Sequence, residues 1–292
     1  LTVDRPLTGT PIVVSGSTAV SLHGPGVVYF TAPQTYTGGT TINNNSLLVM
    51  RVNANITGDV VNNGGLAYQN DLPVLREVHG NISGTGQFFQ TSVNGSVVRF
   101  FGTNTYTGGT TVNNGELEAA SEGALPQNTP YRMLGGTLDL FLWPLTMSRL
   151  EGTGGTITGF SSLTVDQEDD TQFSGTLTGS IAFTKQGSGR LTLAGANTHQ
   201  LATTVEDGTL RVNGQIISST TTVQPGGTLD GSGSVAGLNN TGGVVAPGSG
   251  VGTLTVTENY AQDSTGVLRV QLAGTSAGAF DRLQVDGTAT LG

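Results

Sequence analysis

One stretch of this chain limits what it can fold into more than any other. Asn104-Thr105-Tyr106-Thr107-Gly108-Gly109-Thr110-Thr111-Val112-Asn113-Asn114-Gly115 occurs almost unchanged at Gln34-Thr35-Tyr36-Thr37-Gly38-Gly39-Thr40-Thr41-Ile42-Asn43-Asn44-Asn45. A worn third copy runs from Asn197-Thr198-His199 to Thr203-Thr204-Val205-Glu206-Asp207-Gly208. A unit repeated at this scale is one supersecondary element that buries its apolar side against its neighbours.

The residues between the copies choose the element. Glycine contributes 46 of 292 residues and charged side chains only 11%, and glycine and turn-forming polar residues are poor helix formers. Apolar residues come in bursts of about three to seven, separated by Gly or Asn, and no window of about 11 shows a 3.6 period. Val20, Val27 to Phe30, Thr40 to Ile42, Leu47 to Val49, Val97 to Phe101 and Gly135 to Leu140 read as short strands. So does an Ile12-Val13-Val14 pulse near the start. From Gly187 onward Leu210/Val212, Leu254/Val256, Leu268/Val270/Leu272 and Leu283/Val285 stand two apart, which puts each set on one strand face. Pro144, after Trp143, breaks any ladder strand in the apolar run Leu138 to Leu145. Neighbours alternate in a strand, so only one of Phe88-Phe89, and one of Phe100-Phe101, points inward.

Such strands build a sandwich, a propeller or a parallel β-helix. Three points favour the last. The repeats vary in length, which a coil with loop insertions tolerates and a closed propeller does not. Inward positions are mostly single small or medium aliphatics, suited to a narrow coil. Asn runs at turns can stack as side-chain ladders. Copies one and two are 70 residues apart, which predicts three coils of about 23 residues between them. The fold class expected is all-β: a right-handed, single-stranded parallel β-helix of about a dozen coils, roughly 60 Å at ~4.8 Å per coil.

Net charge is −9, with a single lysine, Lys185, and no basic cluster, which argues against nucleic acid and against an anionic membrane. There is no cysteine, which excludes disulfide scaffolds and thiolate chemistry and suits export as an unfolded chain. No apolar run reaches the ~18 residues of a membrane span. The chain starts and stops mid-pattern with no leader at Leu1, as a piece of a longer protein does.

The run Lys185-Gln186-Gly187-Ser188-Gly189-Arg190-Leu191-Thr192-Leu193-Ala194-Gly195-Ala196-Asn197-Thr198 resembles the autotransporter-associated β-strand repeat, of which the two Thr-Tyr-Thr-Gly-Gly-Thr-Thr copies form the other half. Residues 238–292, with Val245-Ala246-Pro247-Gly248, Tyr260-Ala261-Gln262 and Phe280-Asp281-Arg282-Leu283-Gln284-Val285, resemble the C-terminal passenger segment of autotransporters. The resemblance implies a right-handed β-helical passenger displayed on, or released from, the outer membrane of a Gram-negative cell, with a translocator barrel after Gly292. It implies a stalk over residues 1–199 and a folding-template segment over 200–292. Adhesion to host or neighbouring-cell molecules, or to itself, is the function expected. A passive stalk for an upstream active domain and a β-helical carbohydrate-active enzyme are the alternatives.

No catalytic, cofactor or metal residues are expected. His23, His79 and His199 are far apart and read as surface or turn residues. Gly274-Thr275-Ser276-Ala277-Gly278 matches the Gly-x-Ser-x-Gly pattern but lacks the strand–turn–helix setting that gives it meaning. Asp166, Glu168, Asp169 and Asp170 form an acidic loop with oxygens for Ca²⁺ but without a calcium-loop spacing. Asp139 with Glu151, or Asp207 with Asp230, could align on neighbouring coils, as a glycosidase requires. Tyr36 and Tyr106 are expected to pack at corners that Gly38-Gly39 and Gly108-Gly109 allow to bend. Specific function is then expected where the repeat is interrupted: residues 66–80, 120–150 and 166–173.

Overall fold

Short alternating strands between Gly and Asn turns wind into a parallel β-solenoid of about a dozen turns. The structure is a computed structural model and describes residues 2–3, 13–51, 54–93, 95–276 and 278–292. Among the described residues there is no helix, and so none long and apolar enough to cross a membrane. The chain divides into two compact units, residues 1–145 and 146–292. The expected division at 199/200 falls inside the second and concerns folding order rather than compactness.

In unit 1–145 the turns stack three parallel faces. The longest is formed by Gly26–Phe30, Ser46–Arg51, Gly65–Gln69, Gln87–Thr91, Thr110–Asn114 and Thr129–Met133. A second contains Val20–Leu22, Thr40–Ile42, Val60–Asn62 and Ile82–Ser83. A third contains Leu75–Val78, Val97–Phe100, Glu116–Ala119 and Thr137–Asp139. Each parallel crossover is the rest of the coil, which is how this topology satisfies the long return that parallel strands need. Near the start, Ile12 lies outside the described residues and the strand is Ser15–Gly16 rather than the apolar pulse before it. The strand does stop at Asp139, and the next begins at Leu145 in a different ladder, with Phe141 to Pro144 in the loop between them.

The register corrects the repeat arithmetic. Thr40 pairs with Val60 and Val60 with Ile82, so a turn takes 20 to 22 residues rather than 23. Ile82 in turn lies against Asn104 and Thr105. Three turns on from Thr40 the chain is therefore at Asn104, not Thr110. Thr40 stands on the second face, whereas Thr110 pairs with Phe88 and Tyr131 on the longest. The two copies bend successive corners of the coil instead of the same corner three turns apart. Their glycines work as expected: Gly39 and Gly109 have φ of +82° and +97°, a region open to glycine at little cost.

The interior is also less aliphatic than the sequence suggests. Its largest fully buried side chains include Phe30, Tyr36, Tyr68, Phe88, Phe100, Tyr106 and Tyr131. Phe88 packs edge-on against Phe100 with centroids 4.8 Å apart and lies 6.0 and 6.3 Å from the rings of Tyr68 and Tyr106. A three-sided coil is wide enough for rings to meet across its axis. Full burial of each such side chain stabilises by about 1.5–3 kcal/mol. As alternation requires, Phe88 and Phe100 are buried while Phe89 and Phe101 are half-exposed.

Unit 146–292 repeats the plan with tighter turns. Its long face stacks Ser162–Asp166, Ala182–Gln186, Thr203–Val205, Gln215–Val223 and Ser234–Asn240. A second face stacks Thr171–Phe173, Arg190–Leu193, Gly208–Val212, Gly227–Gly231, Val244–Pro247 and Val267–Leu268. Inward columns such as Leu191, Leu210, Leu229 and Val245 are buried throughout. In the last turn Leu254 pairs with Leu283, across an excursion closed by the antiparallel bridge between Leu272 and Phe280. Asp281 pins that excursion, accepting from the amides of Gly252 and Gln271 at 2.9 and 2.7 Å.

Candidate functional site

The residues that carry chemistry elsewhere are dispersed here. His23 and His79 are exposed. His23 bonds Ser21 and Asn43, and His79 stacks on Phe101 at 4.6 Å. His199 is at a turn, as one of the two expected positions has it, but it is fully buried rather than on the surface. It occupies the Tyr place of the worn third copy. Tyr36 bonds Thr40, Tyr106 bonds Thr110 at 2.7 Å, and His199 Nε2 lies 2.7 Å from Thr203 Oγ1. The i, i+4 contact therefore survives where the motif does not, because a ring with one polar edge is all the corner needs. Burial lowers the pKa of His199 to about 4.

Ser276 lies in the excursion between Leu272 and Phe280, with its carbonyl accepting from Ala279; its neighbour Ala277 lies outside the described residues. The setting is a hairpin tip, not a nucleophile elbow. In the acidic loop the carboxylates diverge. Asp169 pairs with Arg149 at 2.9 Å, Asp170 with Arg190 at 2.9 Å, and Glu168 with Ser188. The loop is organised by buried Gln167, whose Nε2 reaches Asp169 O, Thr171 Oγ1 and Arg190 O at 2.8 to 3.0 Å. Among the described residues no group of three or more His, Asp or Glu is placed to hold a metal.

Asp207 and Asp230 do not meet as expected. Asp230 faces Arg211, not Asp207, in a bidentate pair at 3.0 and 2.5 Å. Asp207 instead lies by Gly226, one place before the Gly208–Gly227 pairing. Asp139 belongs to unit 1–145 and Glu151 to the other. The neighbour of Asp139 in its own unit is Glu118. Together they extend an outward row, Glu77, Arg99, Glu118 and Asp139, on consecutive strands. Arg99 holds Glu118 at 2.9 Å and Glu77 at 3.5 Å. Partial burial raises the pKa of Asp139 and of Glu116, and neighbouring carboxylates add to it.

Sequence reasoning missed Lys185. It stands in an inward column between Val165 and Val205 and is fully buried. Its ammonium donates to the carbonyls of Gln186 and Gly187 at 2.5 and 2.7 Å, with Asp207 O at 3.4 Å. Removal from water lowers its pKa to about 8, against the pull of Asp207 and the acidic loop. The signal was present: Phe183 points inward, so Lys185, two residues on, does too.

Two surfaces remain that carry no structural debt of this kind. On the outer side of the long face of unit 146–292, Thr164, Thr184, Thr204 and Thr222 pair in register, followed by Asn239. In unit 1–145, hollows of about 480 and 670 Å³ adjoin at the corner between the second and longest faces and share Asn44, Asn63 and Thr85.

Residues 23–44, 98–119 and 183–212 match the passenger-associated-transport-repeat family. The chain is 32% identical, over 215 residues or 73% of its length, to an adhesin, the BmaC autotransporter of Brucella suis biovar 1 (strain 1330), and that match covers 6% of the adhesin. It is 35% identical over 102 residues, 35% of its length, to an extracellular serine protease of Serratia marcescens, covering 10% of that protein. The chain thus corresponds to a small part of either relative. No solved structure matches it. Stacked parallel turns bent by these repeats define an autotransporter passenger domain of the β-solenoid type. The chain is a segment of such a passenger, secreted by or displayed on a Gram-negative cell.

Proposed function

We propose that this passenger segment is adhesive, holding its cell to a surface molecule of a host or neighbouring cell, or to a second copy of itself. The reading rests on the threonine rank. Thr164, Thr184, Thr204 and Thr222 alternate with buried neighbours and present one hydroxyl per turn, at ~4.8 Å spacing. Beside it Gln186 Nε2 donates to Glu206 Oε2 at 2.6 Å, so the adjoining rank is also polar. Each hydroxyl contributes a weak hydrogen bond. A partner of matching period engages several at once, and the strength lies in their number. The adhesin among the relatives supports the same reading. It assigns the segment no catalytic step, and the net charge of −9 turns nucleic acid away.

Cells displaying the chain are expected to clump or to bind immobilised matrix proteins or glycans. Thr184→Asp with Thr204→Asp places two like charges one turn apart on the rank and should abolish clumping while leaving the fold intact. Displaying cells that neither clump nor bind any surface overturn the adhesive reading. Clumping unchanged in the double variant removes the threonine rank from it.

A further inference from the structure

Beyond the adhesive face, a second surface in the other unit has the chemistry of a small-molecule site. At the corner between the second and longest faces of unit 1–145, turns stack as His23-Gly24, Asn43-Asn44-Asn45, Asn63-Gly64, Thr85-Gly86 and Thr107-Gly108. The backbone here is flush. A Cβ on Gly64 would stand 2.2 Å from Ser46 O, on Gly86 2.3 Å from Gly64 O, and on Gly108 2.5 Å from the backbone of Gly86. The glycines therefore make a bare floor across successive turns, about 19 Å over five turns at ~4.8 Å each. One wall is amide and hydroxyl: Asn43, Asn44, Asn63 and Thr85. The other is apolar: Leu47 and Phe89 lean over Gly65, where a Cβ would meet Leu47 Cδ1 at 2.8 Å and the Phe89 ring at 3.4 Å.

Three observations select the occupant. The lining of both hollows contains no Asp, Glu, Lys or Arg, and its one imidazole, His23, is engaged with Ser21 and Asn43, so on a chain of net charge −9 no fixed charge here compensates an ionic ligand. The main chain at the corner is spent between turns: Gly86 N donates to Asn62 O at 2.7 Å, Gln87 N to Gly64 O at 2.9 Å and Gly108 N to Gly86 O at 3.1 Å. No free strand edge is left to pair with an extended peptide. What remains is carboxamide donors and acceptors. Asn44 is exposed, and Asn63 accepts from Thr85 N through Oδ1 at 3.2 Å. They line the same open hollow as an aromatic ring and an aliphatic side chain, Phe89 and Leu47. A molecule with hydroxyls around its rim and an apolar C–H face satisfies both walls. We infer that this glycine-floored corner groove binds a neutral oligosaccharide chain laid along the stacked turns.

The test is calorimetric titration of the purified chain with chitotetraose, maltotetraose and α2,3-sialyllactose. One or both neutral tetrasaccharides should bind and the sialylated sugar should not. Asn44→Ala with Asn63→Ala, and separately Phe89→Ser, should weaken binding at least tenfold with the melting temperature of the Asn variant unchanged. If Phe89→Ser lowers the melting temperature, the Asn variant alone decides. The inference is overturned if neither neutral sugar binds, if sialyllactose binds as well, or if the Asn variant binds like the parent. Its fate is separable from that of the adhesive face. Displaying cells that clump while the purified chain ignores both neutral sugars sink the groove and leave the adhesive reading standing.

Discussion

At the scale of single residues, two buried titratable groups set the pH response. The pKa of His199 falls to about 4 in the fold from an ordinary 6.5. The native state prefers the neutral ring, so its contribution is complete above pH 6.5 and is lost as pH falls toward 4. The loss amounts to about 3 kcal/mol, at 1.36 kcal/mol per unit. His199→Tyr restores the residue found at Tyr36 and Tyr106, whose hydroxyls bond the Thr four residues on. The variant should match the parent at pH 7.5 and exceed it increasingly from pH 6.5 to 4 in chemical-denaturation midpoints. A constant difference across that range contradicts the assignment. Lys185 works at the other end. Its pKa falls to about 8 from 10.5, so below pH 8 the native state holds a desolvated charge, and stability rises as pH climbs from 8 toward 10.5. Lys185→Met, which keeps the column filled, should flatten that rise. Measurements between pH 8 and 10 suffice and avoid the buried tyrosines, whose raised pKa values act only above 10.

At the scale of strands and turns, the sequence made the class of element legible and its assembly less so. Period-two alternation and Gly–Asn turns are local properties, and they located Gly26–Phe30, Thr40–Ile42 and Gly208–Val212. Alternation also required one phenylalanine of each adjacent pair to lie outside, and the structure makes these Phe89 and Phe101. Register is not local. Nothing in the two Thr-Tyr-Thr-Gly-Gly copies says that one bends the corner before Thr40 on the second face and the other the corner before Thr110 on the longest. For the same reason the pairing of Asp230 with Arg211 was not visible. The groove was hidden similarly. Its polar wall uses Asn43 and Asn44 of the repeat itself, whereas site residues were sought where the repeat is interrupted. The aromatic interior gives the sharpest test at this scale. Phe88 touches the rings of Phe100, Tyr68 and Tyr106 on three strands or turns. Phe88→Ala should cost about 3–5 kcal/mol in a denaturant midpoint. Phe89→Ala, one position away and half-exposed, should cost well under half of that. Equal costs would mean that the alternation does not govern the core.

At the scale of the molecule, a solenoid is stabilised turn by turn: each turn has an intrinsic term and an interface term with its neighbour, and no distant contact substitutes for a missing interface. This makes the proposed division at 199/200 a question about interfaces. Residues 200–292 contain the uninterrupted columns Leu210, Leu229 and Val245, and Val205 with Val223, each paired in register and buried. They also contain Gln215–Val223, longest of the described strands at nine residues. On the other side of the division the turn bearing Phe183 and Lys185 loses its cover when Thr203–Val205 is removed. Phe183 then faces water, along with the ammonium of a lysine whose carbonyl partner Asp207 is gone. The segment 200–292 alone should therefore show β-sheet circular dichroism and a cooperative melt. Residues 1–199, displayed without it, should be degraded by external protease under conditions that the whole chain survives. A protease-resistant 1–199, or an unfolded 200–292, would show that folding does not start from the C-terminal turns and that the two halves of the division are alike in stability.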